Sequence, residues 1–341
     1  MNRIASHIMD SIGNTPLIRL NRMFEDTRLV YAKMEGFNPA GSMKDRSASR
    51  IVCELMREGK LQKGGTVIES SSGNMAVGLA QACLFHGLNL KVVVDPNLNP
   101  HTKKLLEVYG AEIIVVHQPN SEGGFLGARL NKVKELLYSV PNSVWSNQYR
   151  NPNNPKAYHQ TMREIMQQLN KQVDYIFIAT STCGSLMGCS DYIKKHKLDT
   201  KLVAVDAIGS VLFGGPTKLR KIPGHGAGMP SQFLIPDRVY DVMHVADIDC
   251  IKGCMKLLKE EAILAGGSSG GVVSAYLRYQ YKLPENSVSV LLFPDKGERY
   301  LDTVYNPKWI RENFISDQIS SEFQNERVLK NYNQFIEHES L

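Results

Sequence analysis

The sequence predicts an α/β protein with mostly parallel sheets, arranged as two domains. Three observations carry that expectation. Short apolar runs alternate with helix-patterned segments at close spacing, the mark of repeated strand–helix units. Glycine- and serine-rich loops recur between a strand end and a helix start, the edge of a parallel sheet at which ligands bind. The length, 341 residues, suffices for about two domains and a large core.

The elements follow in order. Asn14-Thr15-Pro16 reads as a turn before Leu17-Ile18-Arg19-Leu20, and residues 29–35 as a strand. Asn38-Pro39 turns the chain into Gly41-Ser42-Met43-Lys44-Asp45-Arg46, ahead of a helix over 48–57. A strand at 66–69 runs through Ser70-Ser71-Ser72-Gly73-Asn74 into a small-residue helix at 75–86. Strands at 90–94 and 111–116 alternate with helices at 102–109 and 127–137. Residues 164–169 are helical. The strand at 175–179 leads through Ser181-Thr182-Cys183-Gly184-Ser185 to a helix at 186–195, then a strand at 202–206. Residues 208–233, rich in glycine and proline, read as a long loop. A helix at 248–261 precedes Gly266-Gly267-Ser268-Ser269-Gly270-Gly271, which opens another, and 288–293 is the last apolar strand. From Ser316 the chain turns polar, the pattern of a peripheral helix or partly disordered tail.

Composition narrows the class. A formal charge of +6, with basic and acidic residues interspersed, suits small acidic substrates and is no nucleic-acid signature. No apolar run is long enough to span a bilayer, and residues 1–13 lack a signal-peptide core, so a cytoplasmic protein without membrane contact is expected. The six cysteines form no C-x-x-C pair, which predicts reduced, mostly buried thiols and no metal site.

Lys44 is the first residue with chemistry to explain. A cation just inside a helix start opposes the helix dipole. The position makes more sense if the amine is bound to a carbonyl as a Schiff base. The alternative is a solvated surface lysine. In the loop Ser181 to Ser185, small residues, hydroxyls and a following helix start suit a phosphate dianion, or an ordinary capped turn. Ser71, Ser72 and Gly73 offer donors for a carboxylate, or spare serines at a helix cap. Ser268 could face a pyridine nitrogen as a neutral partner, or lie in a flexible loop. A neutral partner draws electrons less strongly than a carboxylate would, which favours prompt loss of a β leaving group.

Together G-S-M-K-D-R, S-S-G-N, the S-T-x-G-S loop and G-G-S-x-G resemble the cysteine synthase and cystathionine β-synthase family of fold type II pyridoxal phosphate enzymes, related in fold to the tryptophan synthase β-subunit. The resemblance covers residues 8 to about 312. It implies pyridoxal 5'-phosphate as cofactor and Lys44 as its Schiff-base lysine. It further implies Asn74 beside the phenolic oxygen, Ser181, Thr182, Cys183, Gly184 and Ser185 as the phosphate cup, and Ser268 at the ring nitrogen. Ser71, Ser72, Gly73 and Gln148 would bind the amino-acid carboxylate. Asp206-Ala207, Gly209-Ser210, Asn147-Gln148-Tyr149 and residues 294–302 resemble the branch that joins L-glutamate to O-phospho-L-serine in siderophore precursor synthesis. That branch ties Arg129, Tyr149 and Ser185 to substrate handling; for Arg129 a solvated helix arginine stays open. Met75 replaces a usual threonine, and Cys183 a usual glycine. Other β-replacements (O-acetylserine or sulfide, or ammonia giving 2,3-diaminopropionate), a lyase, and a cofactor-binding regulatory protein stay open too. The resemblance also implies a homodimer. The expected domains are 1–39 with 148–312, which bind the cofactor, and 40–147, mobile and substrate-binding; 313–341 form a tail.

Overall fold

A computed structural model describes residues 4–24, 28–121, 123–170 and 172–314. The chain divides into two compact units, Met1–Arg299 and Tyr300–Leu341. In chain order the first unit carries β1 (Leu17–Arg19), β2 (Leu29–Met34), α1 (Lys44–Arg57), β3 (Thr66–Glu69), α2 (Asn74–His86), β4 (Asn89–Val94), α3 (Pro100–Val108), β5 (Glu112–Val115), α4 (Gly124–Ser139), β6 (Ser143–Trp145), α5 (Asn153–Ala157), α6 (His159–Leu169), β7 (Tyr175–Ala179), α7 (Gly184–His196), β8 (Lys201–Ala207), β9 (Asp241–Val245), α8 (Asp247–Glu261), α9 (Gly267–Tyr279) and β10 (Val288–Phe293). The second unit holds α10 (Pro307–Phe314); the expected tail lies, past residue 314, outside the described residues.

Two sheets organise the first unit. One is wholly parallel, in the order β5-β4-β3-β6. The other runs β1-β2-β10-β7-β8-β9, with β1 alone antiparallel to its neighbour. β10 lies between β2 and β7, with Val290 opposite both Tyr31 and Ile176. Every residue of β3, β7 and β10 is buried. A parallel strand covered on both faces needs such an apolar run, and these three strands match their sequence expectation residue for residue.

The differences lie at edges and ends. β6 and β9 are half-buried edge strands without a continuous apolar run to mark them. α1 begins at Lys44 itself, four residues before the predicted start. Its Ala48, Ile51, Val52 and Leu55 pack with Met75, Leu79 and Cys83 of α2 around the smaller sheet. The larger sheet has its own core, with Ile176, Ile178, Leu186, Leu202, Val290 and Leu292. Between β8 and the single turn Pro236–Arg238 the chain forms the long loop that its glycines and prolines predict. The six cysteines are free, and all but Cys53 are buried. Among the described residues no helix is long and apolar enough to cross a membrane, and no group of side chains could hold a metal ion.

Candidate active site

Three helix starts meet at the carboxyl end of β10. Met43 N donates to Pro294 O at 2.8 Å, and Ser42 forms an antiparallel bridge with Asp295. Asn74 Nδ2 donates to Asp295 Oδ2 at 2.6 Å, and Gly266 N to Asp295 O at 3.2 Å. Arg299 adds a second clamp: Nη1 donates to Asn74 Oδ1 and Nη2 to Ala40 O. Two residues beyond the strand therefore hold the starts of α1, α2 and α9 together.

Lys44 is the first residue of α1, and Ser42 Oγ accepts from its backbone N–H at 3.1 Å. No carboxylate among the described residues pairs with its amine. Burial lowers its pKa from 10.5 to about 8, opposed only by the nearby Cys183. An amine so placed is easily neutral, the form that attacks a carbonyl. Its neighbour Asp45 is also buried. Burial raises this carboxyl to about 7, against the Ala40 N–H, Arg299 and the Ser42 hydroxyl.

Behind Lys44 lies a buried charge network. Arg46 Nε donates to Glu35 Oε2 at 2.6 Å and Nη2 to Glu35 Oε1 at 2.7 Å. Nη1 and Nη2 also reach Glu164 Oε1 and Oε2 at 2.8 and 2.7 Å. Lys33 Nζ lies 2.8 Å from Glu164 Oε2. Two cations balance two carboxylates. Burial alone would raise Glu164, but Arg46 and Lys33 outweigh it and hold the carboxyl at about 2. The network ties α1 to β2 and α6, and so fixes where Lys44 stands.

The loop after β7 has the form of an anion cradle. Cys183 occupies the N-cap of α7 at φ +61°, a left-handed conformation in which glycine is usual. A Cβ on Gly184 would fall 2.3 Å from Asn154 Oδ1, so no larger residue fits there. Asn154 cannot yield easily, because its Nδ2 donates to Gln148 O at 2.6 Å and Thr182 Oγ1 at 3.3 Å. Gly73, Cys183 and Gly266 carry no side-chain oxygen to cap the helices that follow them, although Thr182 Oγ1 accepts from Gly184 N at 3.3 Å. Helix starts of this kind suit an anionic ligand. By contrast Asn99 caps α3 with its own side chain. Ser268 lies in the first turn of α9, 7% exposed.

Across from this cradle, the loops after β3 and β6 are joined by Glu69. Its carboxylate accepts from Ser70 N (2.8 Å), Trp145 Nε1 (3.3 Å), Ser146 Oγ (2.7 Å) and Gln148 N (3.1 Å). Burial pushes its pKa up, and these four donors push it back. Ser71, Ser72 and Gly73 stand beside it, half-buried, and Ser71 Oγ is 3.5 Å from Gly73 N. Arg129 is no solvated arginine. Its Nη1 lies 3.2 Å from Asp95 Oδ2, and its Nε is buried without an acceptor. Tyr149 has its pKa raised by burial and then by Glu69, while Arg129, Arg220 and the Ser181 hydroxyl oppose the rise.

The predicted residues thus gather around two neighbouring sheet edges. Met75 departs from expectation: it is 1% exposed, in the core of the smaller sheet, with Ser47 Oγ 3.8 Å from its sulfur. Sequence reasoning missed Glu69, Asn154, Asp295, Arg299 and the Arg46 network. Residues 294–302 stood out as a distinctive run, but nothing in it assigned roles to Asp295 or Arg299.

The profile of the family described as "Pyridoxal-phosphate dependent enzyme" matches residues 8–295. The chain belongs to this family. Among curated proteins it is 43% identical over 309 residues to an N-(2-amino-2-carboxyethyl)-L-glutamate synthase of Ralstonia nicotianae, covering 90% of this chain and 91% of that one. It is 42% identical over 312 residues to the synthase of the same name from Cupriavidus metallidurans, covering 90% and 92%. Among solved structures, an O-acetylserine dependent cystathionine β-synthase from Helicobacter pylori superposes with a TM-score of 0.81 at 31% identity, over 89% of this chain and all of that one. The fold is therefore that of the fold type II pyridoxal phosphate enzymes, and pyridoxal 5'-phosphate is the cofactor. The groups present fit it: an amine without a paired carboxylate among the described residues, a close-packed cradle at Gly184, and the starts of α2, α7 and α9.

Proposed function

We propose that the chain catalyses β-replacement on O-phospho-L-serine with the α-amine of L-glutamate, releasing phosphate and forming N-[(2S)-2-amino-2-carboxyethyl]-L-glutamate. The product would serve as a 2,3-diaminopropionate precursor for a siderophore. The reading is carried by one juxtaposition. A counterion-free amine, Lys44, stands where a proton must move, and a guanidinium, Arg129, keeps a buried donor without an acceptor in the same site. The names of the two relatives at 42% and 43% identity support it.

Bound pyridoxal phosphate supplies the electron sink that acidifies the Cα–H of an amino acid joined to it. Lys44 Nζ would hold the cofactor, and its amine would take and later return the Cα proton. Ser181, Thr182, Cys183, Gly184 and Ser185 hold the cofactor phosphate with backbone and hydroxyl donors at the start of α7. Asn74, oriented by Asp295 and Arg299, would hold the cofactor's phenolic oxygen, and Ser268 would be an uncharged partner for its ring nitrogen. Ser71, Ser72, Gly73 and Gln148 grip the α-carboxylate. Arg129 would receive the departing phosphate dianion, with Tyr149 and Ser185 handling the substrate beside it. Residues 40–147 would close over the site and exclude water. The working form would be a cytoplasmic homodimer.

The test is a nucleophile panel. Purified protein is given O-phospho-L-serine with glutamate, sulfide or ammonia, and products are read by mass spectrometry alongside phosphate release. The glutamate adduct is the expected product. Fast turnover with sulfide and none with glutamate would leave a cysteine synthase.

A further inference from the structure

The long loop between β8 and β9 has no part in the chemistry above, yet it is stitched onto the phosphate cradle. Gly226 N donates to Thr180 O at 2.7 Å, and Ser231 Oγ to Thr182 O at 2.7 Å. Val211 N donates to Ala227 O at 3.0 Å, and Ala227 N to Ser210 Oγ at 3.0 Å, which folds the loop back on itself. Arg220 sits in this fold. Its Nη1 donates to His225 O at 2.8 Å, and its Nε is buried with no acceptor. A Cβ on Gly226 would fall 2.7 Å from Arg220 Nη1, so the glycine leaves the room that the guanidinium occupies. No carboxylate pairs with Arg220 among the described residues.

Arg129 approaches from α4, on the smaller sheet. The charges of both arginines act on the Tyr149 hydroxyl, which lies beside Ser181. Both guanidinium groups act on one tyrosine, and each has a buried Nε with no acceptor among the described residues. Such donors cost stability unless a ligand meets them. Their partners differ: Arg129 pairs with the Asp95 carboxylate, while Arg220 donates to the His225 carbonyl. The other anionic groups of the proposed reaction already have partners: the cofactor phosphate has the cradle, the α-carboxylate has the serine loop and Gln148, and the departing phosphate has Arg129. The acceptor's carboxylates have none.

We propose that Arg220 is a specificity residue that binds a carboxylate of the acceptor amino acid, L-glutamate. The inference rests on the glutamate reading above. A planar guanidinium with free N–H groups matches a carboxylate edge, and neither sulfide nor ammonia would give it a use.

The test compares the wild-type holoenzyme with Arg220→Gln and Arg220→Lys. Three quantities are read: KM and kcat for L-glutamate against L-glutamine, equilibrium binding of L-glutamate by calorimetry, and phosphate release from O-phospho-L-serine without an acceptor. In Arg220→Gln, KM for glutamate and its Kd should each rise at least tenfold. Phosphate release should stay within twofold, the preference for glutamate over glutamine should shrink, and Arg220→Lys should recover part of the loss. Unchanged glutamate KM, or glutamate turnover and phosphate release falling in parallel in both variants, would overturn the proposal. A wild type that couples sulfide but not glutamate would instead overturn the functional reading. A wild type that couples glutamate, with Arg220→Gln indistinguishable from it, removes only the role of Arg220.

Discussion

Replacing Lys44 by methionine should stabilise the cofactor-free protein, although it destroys the reactive centre. Folding takes the amine from solvent to a buried position without a counterion, and its pKa falls from 10.5 to about 8. That drop corresponds to about 3 kcal/mol between the two protonation states. The side chain keeps some solvent contact, so about 2 kcal/mol is the part expected to appear in water. The sign follows from linkage. A base whose pKa falls on folding penalises the fold fully where both states are charged, below about pH 8, and not at all once both are neutral, above about pH 10.5. Lys44→Met removes the penalty and leaves a side chain of similar length. Urea denaturation of the cofactor-free proteins should therefore show a gain of about 2 kcal/mol at pH 7, and less than half of that at about pH 9.5. Saturating pyridoxal phosphate should reverse the ranking, because the wild type alone can bind it covalently. An equal gain at both pH values, or a loss at pH 7, would refute the reasoning.

Other substitutions test the scaffold. Gly184→Ala places a Cβ against Asn154, which is held at Gln148 and Thr182; cofactor affinity should fall at least tenfold, about 1.4 kcal/mol or more, as read by absorbance titration. Glu69→Gln exchanges an acceptor of four hydrogen bonds for a group with two donors of its own; denaturation should show a loss of about 2–3 kcal/mol, and KM for O-phospho-L-serine should rise. Arg46→Met removes the only cation paired with the buried Glu35 among the described residues and leaves Glu164 with Lys33 alone, and should cost about 3–5 kcal/mol, seen as a large fall in Tm. Asp45 is an acid whose pKa rises on folding from 3.8 to about 7, so its contribution is present below about pH 4 and lost as pH climbs to about 7. Stability measured across that window should fall less steeply in Asp45→Asn.

How legible the protein was depends on where its physics is recorded. β3, β7 and β10 are buried on both faces, so their apolar runs mark them from end to end. β6 and β9 are half-buried at sheet edges and leave no such trace. Lys44, Gly184 and Ser268 stood out in the sequence because a cofactor needs particular residue types at strand ends. Glu69, Asp295 and Arg46 were not, because their partners lie far away in the chain: Glu69 with Gln148, Asp295 with Asn74, Arg46 with Glu164. A charged residue in a sequence looks the same whether it faces water or holds a hub. Met75 illustrates the reverse case. It stands where the resembled family usually has threonine, and the first turn of α2 directs its side chain into the core.

Glu69 also constrains how the site can respond to a substrate. It fastens the start of the serine loop, at Ser70, to the loop that presents Gln148. A carboxylate that touches either loop pulls on a single crosslinked piece, so the two halves of the grip engage together rather than in sequence. A substrate lacking that carboxylate has no partial purchase on the latch. Discrimination of this kind comes from mechanics and not from an extra contact, and it would persist whatever nucleophile the enzyme is engineered to accept.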